Sequence, residues 1–494
     1  MMNKWLPIGL FTACFLAIVS ATLYYGPSWG LMDDFQFLNL VRKLQTSPDR
    51  LAIYLESCLG GGMVRPVLFT WAAIFYAAFN HWPTGFYIFN AVVNMAALIF
   101  WGMVFYRLFS VDRKDFFWTV FFFPLTFFIF TAFWNIFNYI SLQEKFIVFL
   151  APLAILCFER TYRDFQRKDL AWLCVVIVLG LCSKATFLFI PLIFLAYAVL
   201  DLVVFHYRSK LSWLYVALNG IIFVSYAMFT FMFQLRGSYV ARYKTNLSAG
   251  VFLERIFTLP LVMKSMLLIG LFGLIGVAVY CLRKKRPESS LGVLIYLGLI
   301  AYVFLLSPWG SQSYLLSAAG PLVMGGLFPL YYWVSRRGGI AKTFLNGTLT
   351  VILFLIFIGD IAPNISRMGD IGRGVAFLTQ YQKATAGEDI YFMPPPYSES
   401  ASATAGFTGK NVIFCTDGKI ASDLLSREGH NYVIFNDLFP SIHLTGVELG
   451  EEIFSNRVWK VFRLLPAPGH EEEFTMDFPK NAVQQLKIKI RNLQ

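Results

Sequence analysis

Two adjacent carboxylates stand in the run Trp29-Gly30-Leu31-Met32-Asp33-Asp34, a few residues beyond the first apolar stretch of the chain. Charge at that depth sits at a membrane interface, where it costs far less than in hydrocarbon yet can face a cavity open to lipid. Partial desolvation and a like-charged neighbour both raise a carboxyl pKa toward the working range of a general base. Asp33 and Asp34 are therefore candidate catalytic groups. Their plainer role is capping, because Asp ahead of an apolar-periodic run starting at Phe35 is a favoured N-cap. Capping accounts for one of the pair.

Cations of matching interest follow. Gly60-Gly61-Gly62-Met63-Val64-Arg65-Pro66 delivers one Arg to the head of a helix, and a guanidinium suits bidentate phosphate recognition as well as anchorage to headgroups. Ser183-Lys184-Ala185-Thr186 interrupts an apolar stretch from 170 to 204 that is too long for one span and right for two. Lys184 thus marks the outer turn of a helical hairpin, and its alternatives are substrate binding and snorkelling to the interface. The loop 234–259 carries Arg236, Arg242, Lys244 and Arg255 on the side where positive charge is normally sparse, which asks for an anionic partner, either substrate or headgroup. Ser311-Gln312-Ser313-Tyr314 brings polar groups into a span, as substrate contacts or as a cap.

The elements that must position these groups are set by composition. The chain has 494 residues, 57% hydrophobic and 14% charged, with a mean hydropathy of +0.61, values that make lipid its main solvent. The formal charge of +12 is dispersed between apolar runs rather than gathered on one soluble face, which excludes a nucleic-acid partner and reads as topogenic Lys and Arg. The seven cysteines show neither metal-ligand spacing nor a disulfide pattern, although Cys58 and Cys415 fall on the same side. No cofactor is expected, and nothing in the spacing supports a divalent metal.

About eleven spans are expected: Trp5–Tyr25, retained rather than cleaved as a signal, then 83–109, 116–134, 142–160, 170–186, 187–205, 212–233, 260–281, 291–307, 314–334 and 343–361. Alternate loops hold Arg107, Arg113 and Lys114, then Arg163, Arg167 and Lys168, then Arg208 and Lys210, then Arg283 to Arg286, then Arg336, Arg337 and Lys342. The bias of cytoplasmic loops toward Lys and Arg puts the amino terminus inside and the carboxyl-terminal domain outside. The first outer loop, 26–82, is long enough for two interfacial helices, 34–56 and 66–79. Beyond 361 short strands at 390–393, 411–415, 432–436 and 458–464 alternate with helices at 369–383 and 419–428. The fold expected is mainly α: a polytopic membrane domain over 1–361 and a small extracytoplasmic α/β domain over 362–494.

In this arrangement the chain resembles the polyprenyl-phosphate-sugar-dependent glycosyltransferases of the GT-C fold, such as protein O-mannosyltransferases and aminoarabinose transferases. The resemblance covers the topology of 1–361 and an ordered set of motifs: Asp33-Asp34 after the first span, Arg65-Pro66 before a surface helix, His81-Trp82-Pro83-Thr84-Gly85-Phe86-Tyr87 opening the second span, and Ser183-Lys184-Ala185-Thr186 in the hairpin. Two departures stand out. Asn135, Asn138 and Gln143 occupy the second outer loop, where relatives carry an acid or His, leaving Glu144 as the nearby acid, and Ala185 replaces the acid of the hairpin motif.

The resemblance implies a donor sugar on a polyprenyl phosphate that enters sideways from lipid and a hydroxyl acceptor on a glycan, lipid or protein. It implies phosphate contacts from Arg65, Lys184, Arg236, Arg242 and Lys244, with Glu144 and Tyr314 also on the substrate side. Asp33 is the expected base, with Asp34 orienting the acceptor or serving instead, and a single base implies inversion. Two other classes use the same cations: a transporter or flippase of a lipid-linked saccharide, and a polymerase or ligase using polyprenyl-diphosphate glycans. Transporters tend to show repeated halves and mid-membrane polar groups, whereas this chain keeps its unusual charges at one face. A bacterial inner membrane is the expected location, with membrane lipids as neighbours.

Overall fold

A computed structural model of the chain describes residues 5–29, 40–41, 43–44, 46–59, 65–79, 82–108, 111–129, 144–206, 208–234, 268, 327–328, 331–335, 339–384, 389–393, 412–415, 418–427, 429–437 and 440–478. Trp5–Tyr25 carries no charge and forms helix α1, 21 residues long. At 1.5 Å per residue it covers about 31 Å, the thickness of the hydrocarbon core. Helices α2 (Arg50–Leu59) and α3 (Pro66–Phe79) follow. Pro66 occupies the first helical position of α3, where the missing N–H is not needed. Leu68, Ala72 and Tyr76, four residues apart, give α3 one buried face.

Helix α4 (Pro83–Leu108) again opens on proline and runs 26 residues. A Cβ on Gly102 would lie 2.4 Å from the Val120 carbonyl oxygen, so glycine is what allows α4 to close on the segment beside it. That segment lies within the expected span 116–134 and is wound as wide and tight turns, Trp118–Phe122 and Phe123–Ile129. Pro124 within it has no N–H for a regular ladder.

Helices α5 (Glu144–Asp164) and α6 (Arg167–Ser183) pack as a hairpin, and α7 (Phe189–Leu200) and α8 (Ser209–Gln234) continue the bundle. Aromatic rings fill its interior: Trp101, Phe105 and Phe127 meet between α4 and the turns, and Phe158 stacks on Phe194 at 4.2 Å. Buried polar groups are held locally. Asp201, fully buried, accepts hydrogen bonds from the Tyr162 and Ser212 hydroxyls.

Helix α9 (Gly339–Ile356) passes through one wide turn, Phe357–Ile361, into α10 (Ala362–Ala384). The helix therefore runs without a break across residue 361, where the composition changes. Among the described residues three helices are long and apolar enough to cross a membrane: Trp5–Tyr25, Pro83–Leu108 and Gly339–Tyr381. The expected spans 260–281, apart from residue 268, and 291–307, and most of 314–334, lie outside the described residues.

The carboxyl-terminal region forms one mixed sheet of β1 (Ile390–Met393), β2 (Val412–Phe414), β3 (Lys419–Ala421), β4 (Asn431–Asn436), β5 (Ser441–Ser455) and β6 (Trp459–Thr475), in the order β2-β1-β4-β6-β5-β3. The pairs β1–β2, β1–β4 and β3–β5 are parallel, and β4–β6 and β5–β6 antiparallel. Alternation along the strands sends Tyr391, Met393, Tyr432 and Ile434 toward α10, and Phe392, Val433 and Phe435 into a second core. Residues 419–428 were expected as a helix; their start is instead an edge strand paired with β5, followed by the short turn Ser422–Leu424.

Candidate functional site

The first cation sits at a corner built by one proline and a pair of hydroxyls. Tyr54 Oη on α2 meets Thr70 Oγ1 on α3 at 2.6 Å, and the Arg65 N–H donates to the Cys58 carbonyl at 3.0 Å, so the end of α2 is tied to the head of α3. The Arg65 carbonyl accepts the Phe69 N–H at 3.3 Å, which makes Arg65 the residue from which α3 starts.

The second cation is placed by a glycine. α6 ends at Ser183, and Lys184 takes an extended conformation (φ −155°, ψ 131°) before the tight turn Ala185–Leu188. Its N–H donates to Gly180 at 3.0 Å and its carbonyl accepts from Phe187 at 2.9 Å. A Cβ on Gly180 would lie 2.2 Å from the Phe187 ring, so the chain folds back this tightly only over glycine. Lys184 is thus in the turn between helices, as the hairpin reading required.

Helix α3 packs on α6, and this brings the two cations into electrostatic reach. Cations on two packed helices can act on one anion together.

A third cation was not singled out in the sequence. Lys145, in the first turn of α5, is 4% exposed, and its ammonium lies 5.5 Å from the Trp71 ring of α3 and 5.7 Å from the Phe86 ring of α4. Ring faces attract a cation at this range. The available signal was a lysine at the polar start of the expected span 142–160, beside the acid that did draw notice.

The chain leaving α1 is fixed at the same end. The Ser28 N–H donates to the Met368 carbonyl of α10 at 3.1 Å, and Tyr87 Oη of α4 donates to the Ser28 carbonyl at 2.7 Å. Trp29 is buried, with its ring 5.1 Å from that of Phe86. Close approach again needs glycine, since a Cβ on Gly369 would lie 2.3 Å from the Tyr25 oxygen and one on Gly372 2.6 Å from Ser28 Cβ. Asp33, Asp34, Arg236, Arg242, Lys244 and Tyr314 lie outside the described residues, and Glu144 opens α5 with its side chain likewise outside them. Among the described residues no three His, Cys, Asp or Glu side chains gather to hold a metal ion.

No protein-family model and no characterised protein matches this chain in sequence. Among solved structures it is similar to ArnT from Cupriavidus metallidurans bound to undecaprenyl phosphate, with a TM-score of 0.51 and 11% identity over 94% of this chain and 98% of that one. It is also similar to the oligosaccharyltransferase of Archaeoglobus fulgidus in its apo form, with a TM-score of 0.48 and 10% identity over 83% of this chain. The chain spans 64% of the archaeal protein's length. The likeness to ArnT shows the fold, which is the GT-C architecture that the sequence resemblance implied.

Proposed function

We propose that this chain is a membrane glycosyltransferase that moves a hexosyl or pentosyl group from a polyprenyl-phosphate donor to a hydroxyl acceptor at the extracytoplasmic face of a bacterial inner membrane. The observation that carries this reading is the packing of α3, which starts from Arg65, on α6, which ends just before Lys184, so that two distant parts of the sequence meet in a fold shared with a protein crystallised on undecaprenyl phosphate. Lys145 adds a third positive charge beside α3.

In the proposed reaction the acceptor oxygen attacks the anomeric carbon as the bond to the phosphate oxygen breaks. The bonding pair leaves with the polyprenyl phosphate, the acceptor proton passes to Asp33, and the anomeric centre inverts. Arg65 and Lys184 offset the charge growing on the departing phosphate, the kind of preorganised stabilisation that contributes most to such steps. Arg236, Arg242 and Lys244 are further phosphate contacts, Glu144 and Tyr314 bind on the sugar or acceptor side, and Asp34 orients the acceptor or serves as the base. Asp33 is the fourth residue after Trp29, so chain connectivity limits their Cα separation to at most about 14 Å.

The test is transfer from a purified polyprenyl-phosphate sugar by the full-length protein, with carrier release followed directly. Release of the monophosphate carrier is the expected result, and Asp33→Asn abolishes it while leaving donor binding intact, because it removes a proton acceptor and little volume. Product formed only from a diphosphate-linked glycan overturns the proposal, and wild-type turnover in Asp33→Asn removes Asp33 from the mechanism.

A further inference from the structure

At the end of the bundle opposite Lys184, the last turns of α4 and α5 and the first turns of α6 part around a cleft of about 470 Å3, lined by Met103, Arg107, Leu156, Arg160, Lys168 and Trp172 among others. Its basic groups are positioned by carboxylates. Arg107 gives one Nη to Glu159 at 3.0 Å, Arg163 reaches the same carboxylate at 3.2 Å, and Arg160 Nε pairs with Asp169 at 3.1 Å. A guanidinium has five N–H donors, so these pairings fix the heads of Arg107 and Arg160 and leave donors for another acceptor. Arg107, Arg160, Arg163, Arg167 and Lys168 outnumber Glu159, Asp164 and Asp169 at this end, and the local charge is positive.

The other wall is apolar and continues out of the cleft. Trp172 is 62% exposed, and Val175 and Leu179, three and seven residues further on, are exposed on the same face of α6. A ring at the mouth of a basic pocket, with an apolar track leading from it toward the membrane interior, matches a headgroup and its chain. We infer that this cleft binds an anionic phospholipid, its phosphodiester between Arg107 and Arg160 with Lys168 at the rim, and one acyl chain along Trp172, Val175 and Leu179. The site is distinct from the donor corner: Lys168 lies fifteen residues along α6 from Ser183, the residue before Lys184, about 22 Å of helix rise.

The experiment measures lipid binding to the full-length protein in detergent by native mass spectrometry and thermal shift, using dioleoyl phosphatidylglycerol, dioleoyl phosphatidylcholine and glycerol 3-phosphate as probes. Phosphatidylglycerol binds about ten-fold tighter than phosphatidylcholine, and Lys168→Gln with Trp172→Leu removes most of that preference, as expected when a cation and the interfacial ring are lost. Undecaprenyl phosphate binding is unchanged in the same variant, which separates this site from the donor corner. Lys168 is exposed, so Lys168→Gln alone, with a several-fold loss expected, carries the test if the double variant folds poorly. Equal affinity for the two lipids, a preference that survives the substitutions, or equal protection by glycerol 3-phosphate each overturns the inference.

Discussion

Lys184 and Arg65 are informative because each is an ordinary residue in an expensive place. Donor affinity is measured by titration with undecaprenyl phosphate. Lys184→Ala is expected to weaken it roughly ten-fold or more, the scale of one charge-assisted hydrogen bond, and Lys184→Arg to retain most of it because guanidinium keeps the charge. Unchanged affinity in Lys184→Ala removes Lys184 from the phosphate contacts. Both residues were legible in the sequence, because a cation that interrupts an apolar run or follows a glycine triplet ahead of proline announces itself. Lys145 did not, since one lysine at the start of a span reads as an interfacial anchor, and its place among Trp71 and Phe86 depends on the packing of three helices.

Helix starts were readable wherever proline marked them: Pro66–Phe79 was expected as 66–79, and Pro83–Leu108 as 83–109. Strand boundaries in the sheet were less readable, for physical reasons. Lys419–Ala421 pairs with Lys419 opposite His443 at the sheet edge, while Ile420, Leu424 and Leu425 alone have helical spacing, so pairing overrode the local pattern. β5 was missed because Gly446, Glu448, Gly450, Glu451 and Glu452 break any period-two alternation, and its half beyond the core is largely exposed. The close helix contacts were also illegible, since a glycine in an apolar run looks like any small residue. Gly180→Val is expected to force the Phe187 ring out of place and cost about 1–3 kcal/mol by overpacking, read as a lowered Tm of the detergent-solubilised protein. Gly347→Ala, where a Cβ meets nothing within 4 Å, is the matched control and leaves the Tm unchanged or slightly raised. Equal Tm for the two variants contradicts the tight turn at Lys184.

The whole molecule is organised around one helix that belongs to both of its parts. α9 and α10 form a continuous rod from Gly339 to Tyr381, and α10 carries the sheet by Arg367, bidentate to Asp437 at 2.6 and 2.7 Å, and by Trp459, whose ring fits over Gly374. The opposite flank of α10 holds Ser28 through Met368 and receives Tyr25 and Ser28 against Gly369 and Gly372. The sheet and the chain leading to the acid pair therefore share one support, whose rotational phase must suit both. One alanine inserted between Ile365 and Ser366 rotates everything beyond it by about 100° and advances it by about 1.5 Å relative to α9. Either the contacts to Ser28 or the run of the rod must give, and transfer is expected to fall at least ten-fold, the scale for a small misplacement of a reacting group. Donor binding at Arg65 and Lys184, which α10 does not build, changes little. An alanine inserted immediately before Gly339 lengthens a connection without rotating α10 against α1 and serves as the control. Unchanged transfer in the first insertion, with protein folded to wild-type Tm, shows that the grip on Ser28 has no part in positioning the acids.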